Sequence, residues 1–198
     1  MLRLRFAAIV AGVFLATLFS IPAFADGVTI LSIDPASSTV NSGNSLTLDV
    51  NISDVTDLYG FGFDLSFDPG ILSAVSIAES SFLSGAGTTF FIPGTIDNTA
   101  GTITFTADSL IGPGPGVNGS GTLAILTLSG LITGSSNVNF SNVLLLDSNL
   151  NPIDANTQSG TVTVTSSTSV PEPSTLVLLF AAMGFFSLKF VRKTFSAA

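Results

Sequence analysis

The stretch Leu58-Tyr59-Gly60-Phe61-Gly62-Phe63-Asp64-Leu65-Ser66-Phe67-Asp68-Pro69-Gly70-Ile71-Leu72 decides the fold of this 198-residue chain. Apolar side chains recur at every second position, so Tyr59, Phe61, Phe63, Leu65 and Phe67 share one face of a strand. The other face carries Gly60, Gly62, Asp64 and Ser66, which leaves it thin and open to close approach. Asp68-Pro69-Gly70 closes the run as a tight turn, since Pro presets φ and Gly accepts positive φ. This strand is expected to centre the core.

The same period extends outward. Leu46–Ile52 alternates apolar with polar, Val28–Ile33 precedes it, and Ile71–Ala78, Thr89–Ile92, Thr102–Ala107, Thr122–Ser129, Val138–Leu146 and Thr161–Val164 follow. Nine strands and hardly any helix result, divided by Gly, Ser, Asn and Pro. That predicts an all-β fold, a nine-stranded jelly-roll β-sandwich. Phe61, Phe63, Phe67, Phe105 and Phe140 alternate with polar residues and are assigned to the core. Phe90 and Phe91 are adjacent and face opposite sides, so either one is exposed or the strand is buried on both faces. Asp54, Asp57, Asp97 and Asn98 read as loop residues, Gly112–Gly116 as a loop within the domain, and Ser/Thr-rich 165–170 as a linker. No internal repeat is visible.

Charge sorts the chain into body and ends. The five basic residues are Arg3, Arg5, Lys189, Arg192 and Lys193, while the thirteen acids lie between Asp26 and Glu172 and His is absent. An anionic body without Lys or Arg excludes nucleic acid, whose phosphates are bound through those residues. With no Cys there is no disulfide or thiolate metal site, and the core alone must hold the fold.

Residues 1–25 have the parts of a signal peptide: Arg3 and Arg5, an apolar run from Phe6 to Phe19, and Ala23-Phe24-Ala25, with cleavage by signal peptidase expected after Ala25. At the other end stand Val170-Pro171-Glu172-Pro173-Ser174, an apolar run from Thr175 to Leu188, and Lys189-Phe190-Val191-Arg192-Lys193. The two prolines keep the tripeptide extended. A helix from Thr175 to Val191 is about 25 Å long at 1.5 Å per residue, near the lower limit of a bilayer span. The basic tail holds that end on the cytoplasmic side.

The arrangement of residues 171–198 resembles the PEP-CTERM sorting signal of Gram-negative bacteria. That resemblance implies recognition of Pro171, Glu172 and Pro173 by the sorting enzyme exosortase, membrane anchoring through the C-terminal transmembrane helix before sorting, and a final place at the envelope surface or in the extracellular matrix.

A second resemblance rests on Leu58–Leu72, on Gly121-Thr122-Leu123-Ala124-Ile125-Leu126-Thr127-Leu128, and on Val143–Ile153. These pieces are similar to the strands and closing hairpin of cohesin domains over residues 26–164. The resemblance implies a jelly roll related to carbohydrate-binding modules and, in cellulosomal members, docking to dockerin domains; no dockerin-like calcium repeat occurs in this chain.

The central region offers no usual general base, thiol, amine or cationic oxyanion clamp, and Asp64 and Asp68 stand about 13 Å apart along a strand, too far for a glycosidase pair. No enzyme is expected. Calcium is the one candidate cofactor: Asp147, Asn149 and Asn151 place oxygens at positions 1, 3 and 5 of a loop, although Pro152 stands where an EF-hand has Gly and Gln158 where it has Glu. The other reading of Asp147–Asn151 is a polar hairpin turn. The sequence thus predicts a non-catalytic exported surface protein that binds a surface protein, with an extracellular polysaccharide as the alternative ligand. Without Trp and with one Tyr, the glycan alternative lacks the usual stacking platforms.

Overall fold

The computed structural model describes residues 27–166. Ala23, Ala25, Pro171, Glu172, Pro173, the signal segment, most of the linker and the C-terminal apolar stretch lie outside the described residues. Among the described residues no helix is long and apolar enough to cross a membrane.

Ten strands and one helical turn form: β1 (Ile30–Asp34), β2 (Ser37–Asn41), β3 (Ser45–Ser66), β4 (Leu72–Glu79), α1 (Ser81–Ser84), β5 (Thr95–Asp97), β6 (Thr102–Ser109), β7 (Val117–Gly130), β8 (Gly134–Asp147), β9 (Asn156–Gln158) and β10 (Gly160–Thr165). The count differs from the nine expected for physical reasons. β2, β5 and β9 are short and mostly polar, so no apolar alternation marks them. Thr89–Ile92 is not a strand of its own and pairs only through bridges from Thr89 to Leu110 and from Ile92 to Ala107.

The two expected strands at 46–52 and 59–67 are one strand of 22 residues. Asp54 and Asp57, expected in a loop, sit inside it with φ of 55° and 59°. The pairing of β3 with β7 shifts on either side of Val55. Each bulge inserts a residue and turns the inward face by one position. Hence Leu48, Val50 and Ile52, then Val55, then Leu58, then Phe61, Phe63 and Leu65 are all buried, although no single period of two links them.

β3 serves both layers of the sandwich. Its first half pairs with β1 and β7, and β7 carries β4. Its second half lies between β6 and β8, with β5 beyond β6. The first part of β8 continues through β10 to β2. Phe61, Phe63, Leu65 and Phe67 fill the space between the layers as the alternation predicts. Tyr59 and Phe140 are only half-buried at the core's margin. Phe105 contradicts its core assignment, since it is exposed; a β6 bulge reverses its facing. Of the aromatic pair, Phe90 is exposed and Phe91 packs against the core.

The free edge of β4 is blunted by a side chain. Asn98 Oδ1 accepts the Ala74 N–H at 2.7 Å, and Asn98 Nδ2 donates to the Ala74 carbonyl at 3.0 Å. Asn98 thus takes the place of a neighbouring strand, one way in which edges are kept from pairing with other chains.

Candidate docking site on the outer sheet

On the outer face of β6, β3 and β8 lies a trough of about 270 Å³. Its floor is backbone: Gly60 and Gly62 point outward between inward Phe61 and Phe63, so no side chain fills the middle of the sheet. Phe90 and Ile92 stand on one side with Phe105 beyond them, and Leu144, Leu146 and Leu150 on the other. Phe90, Phe105 and Leu150 are 63%, 67% and 65% exposed, which makes the trough a contiguous apolar patch of the kind that marks an interaction site.

Two of these wall residues are held in conformations their side chains disfavour. Phe105 has φ of 59° and Leu150 of 64°, the left-handed region, where a bulky residue is an outlier. Such strain persists only where the surroundings enforce it, and it clusters at functional sites. For Phe105 the enforcing group is Asp64. Its Oδ1 accepts the Phe105 N–H at 2.6 Å, and its Oδ2 accepts Asn142 Nδ2 at 2.6 Å. Asn142 is itself left-handed, with φ of 50°. The β3–β6 register shifts between Phe63 and Leu65, and the β3–β8 register between Gly62 and Asp64. One carboxylate therefore pins a bulge on each flanking strand, and the β6 bulge turns Phe105 out over the trough.

The Asp147–Asn151 segment does the equivalent for Leu150. Asp147 Oδ1 accepts the N–H groups of Asn149 and Asn151 at 2.8 Å each, and its Oδ2 accepts Asn151 Nδ2 at 3.0 Å. The Asn151 side chain, then the backbone donors, hold the Asp147 carboxyl below its usual range. Asp147, Asn149 and Asn151 are thus brought together in one hairpin turn, with both Asp147 oxygens engaged by N–H groups of the turn itself. Among the described residues no group of three or more His, Cys, Asp or Glu side chains could hold a metal ion.

Asp57 ties the neighbouring loops. Its Oδ2 accepts the Ser148 hydroxyl at 2.6 Å and its Oδ1 the Gly116 N–H at 2.6 Å, and these bonds, the hydroxyl first, hold its carboxyl low. Asp68 Oδ1 accepts the Gly70 N–H at 2.8 Å and shapes the expected turn. The carboxylates considered for catalysis, Asp64 and Asp68, are both bound to backbone in this way.

The family model for the cohesin domain matches residues 31–164. The chain belongs to the cohesin domain family. Cohesin domains are non-catalytic binding modules, and this one keeps their all-β sandwich. The sixth cohesin of Acetivibrio cellulolyticus scaffoldin B, solved with a dockerin, superposes with a TM-score of 0.57 at 19% identity, covering 70% of this chain and 100% of that one. A type I cohesin–dockerin complex from Clostridium thermocellum gives 0.58 at 15% identity, with coverage of 72% and 96%. A non-cellulosomal cohesin from the archaeon Archaeoglobus fulgidus gives 0.57 at 14%, with coverage of 71% and 93%. No curated protein matches the chain.

Sequence reasoning reached the floor of the trough through the Gly60–Gly62 thin face but missed Ile92, Leu144 and Leu150 as its walls. One signal was available: Leu150 is a lone large apolar residue between Asn149 and Asn151 in a polar turn.

Proposed function

We propose that this cohesin domain is a docking module that receives an apolar side chain of a dockerin-type protein partner in the trough over Gly60 and Gly62. The observation that carries this reading is the pair of left-handed wall residues, Phe105 and Leu150, turned outward by the Asp64 carboxylate and by the Asp147–Asn151 turn. Exposed aromatic and aliphatic anchors around a preformed pocket supply most of the energy of such interfaces. The solved relatives bound to dockerins support the partner class. The trough offers few hydrogen-bonding groups, which sugar recognition would need, so a polysaccharide ligand is the second reading.

Export by the 1–25 signal and sorting of Pro171-Glu172-Pro173 by exosortase would place the module at the envelope surface. With no Lys, Arg or His from residue 27 to 166, a basic partner face is favoured, and raising the salt concentration should slow association.

Gly62 allows a direct test. A Cβ there would meet nothing nearer than the Thr106 carbonyl oxygen at 3.8 Å, so Gly62→Leu fills the trough without disturbing the strand. In pull-downs from envelope extract and culture supernatant, a protein bound stoichiometrically by residues 26–168 should be lost on Gly62→Leu. Polysaccharide retained without protein would favour the glycan reading. Calcium belongs to this proposal only at Asp147, Asn149 and Asn151. Because the Asp147 oxygens already accept N–H donors, calorimetric titration with calcium should be flat, and stoichiometric binding heat that Asp147→Ala removes would assign the ion there.

A further inference from the structure

Beneath the trough lies an acid that the docking surface does not use. Asp108 on β6 faces Phe61 of β3 in the ladder and is 3% exposed. Its Oδ1 accepts the N–H of Ser109 at 2.8 Å, while Oδ2 is buried without a hydrogen-bond partner. The Glu79 carboxyl, from the end of β4, acts on Asp108 through its charge and a side-chain hydrogen bond. Glu79 Oε1 in turn accepts the Thr89 hydroxyl at 2.5 Å.

Thr89 belongs to a strap, residues 88–92, stitched to β6 around Asp108. Phe90 N–H donates to the Ser109 carbonyl at 2.9 Å, Ile92 N–H to that of Ala107 at 2.7 Å, and Ile111 N–H to that of Thr88 at 2.8 Å. The strap carries Phe90 and Ile92, one wall of the trough. Around Asp108, β3 presents Phe61 and Tyr59, whose hydroxyl donates to the Gly112 carbonyl; the strap presents Thr89 and β4 presents Glu79. No Lys, Arg or His occurs from residue 27 to 166.

We propose that Asp108 and Glu79 share one proton, and that this proton latches the 88–92 strap and holds the Phe90 wall of the trough in place. Two carboxylates that face each other, one of them buried and the other half-buried, with no cation beside them, do not both ionise cheaply. Burial first, and then the Glu79 charge, push Asp108 from 3.8 up to about 6. A carboxyl raised on folding gives stability that is full below its unfolded value and is lost as pH rises through the folded one. Two units correspond to about a hundredfold change in the opening constant. The latch is therefore tightest below pH ~4, loosens between pH ~4 and ~6, and is fully weakened above that. The docking reading is needed only for the consequence, weaker partner binding at higher pH.

Amide hydrogen exchange read by NMR at pH 5 and pH 8, corrected for intrinsic rates, tests the latch without a partner. Protection of the Phe90, Ile92 and Ile111 amides should fall about tenfold at pH 8. Asp108→Asn should remove most of that pH dependence, and Glu79→Gln a smaller part of it. The acid limb, set by hydrogen bonds to Asp57, Asp97 and Asp147 that hold their carboxyls low, should not move. Equal strap protection at both pH values overturns the latch, as does restoration of protection at pH 8 by calcium, which would make the pair a cation site. Should Asp108→Asn not fold, a direct ¹³C titration of the wild-type side chain decides: Asp108 titrating near 4 also overturns it. If the strap responds but a captured partner binds equally at both pH values, the docking reading fails and the latch stands.

Discussion

Truncating Phe63 to alanine is expected to cost the domain about 3–5 kcal/mol, the range for removing a fully buried aromatic side chain. Phe63 is 1% exposed. Its ring stacks on Phe61 with centroids 5.8 Å apart and meets Phe140 edge-on at 5.7 Å, and such pairs add about 0.5–1.5 kcal/mol each beyond area burial. The cavity would open on the strand shared by both layers, where β6, β8 and β3 cannot all move inward together. Domains of this size have about 5–15 kcal/mol in total, and this one has no disulfide to hold the remainder. Urea denaturation of residues 26–168 should therefore show a midpoint lowered by a large fraction with the slope unchanged. A loss under about 1 kcal/mol would mean that Phe61 and Phe140 collapse into the space and that the centre of the core lies elsewhere. Phe105→Ala is the matched control. That ring is solvent-exposed, so its removal should change stability by no more than about 0.5 kcal/mol, although both phenylalanines alternate with polar neighbours in the sequence.

That contrast shows how far the sequence could be read. Alternation identified Phe61, Phe63, Leu65 and Phe67 correctly because β3 carries no bulge of its own from Phe61 to its end at Ser66, and Phe67 continues its direction. It failed at Phe105, where the strand inserts a residue and reverses the facing. It split β3 at Asp54 and Asp57 for the same reason: polar residues at positive φ look like a loop when only their identity is known. A bulge is specified by what grips it from another strand, and Asn118 Oδ1 on the Asp57 N–H, Ser120 Oγ on the Asp54 N–H and Asp64 on Phe105 are contacts between residues 41 to 66 positions apart. β2 and β9 were illegible because they add as parallel partners to β10 and β1 through backbone bonds that require no apolar side chain. The glycines at 60 and 62 were legible as a thin face. What walls that face was not, since Ile92, Leu144 and Leu150 come from three separate segments.

The same long-range grip makes Asp64→Ala the most informative change at the docking surface. Asp64 accepts a backbone N–H from one flanking strand and an amide N–H from the other, and hydrogen bonds to charged groups contribute about 1.5–3 kcal/mol each when well formed. Partial exposure lowers this, so a stability loss of about 1–3 kcal/mol is expected. The larger effect should appear in binding. Without the carboxylate the Phe105 N–H loses its acceptor, and a left-handed Phe, costing of order 1–3 kcal/mol in strain, is free to relax to the β region. The ring then leaves the trough wall. A partner anchored there should bind roughly tenfold to a hundredfold more weakly, while Phe105→Ala alone reproduces the binding loss without the stability loss. NMR separates the two steps: the Phe105 amide and its ³J(HN,Hα) coupling should change in the Asp64→Ala variant even with no partner present. If the coupling stays at its left-handed value and binding still falls, Asp64 touches the partner directly. If both are unchanged, the strain at Phe105 has nothing to do with docking, and the trough is a by-product of the two glycines.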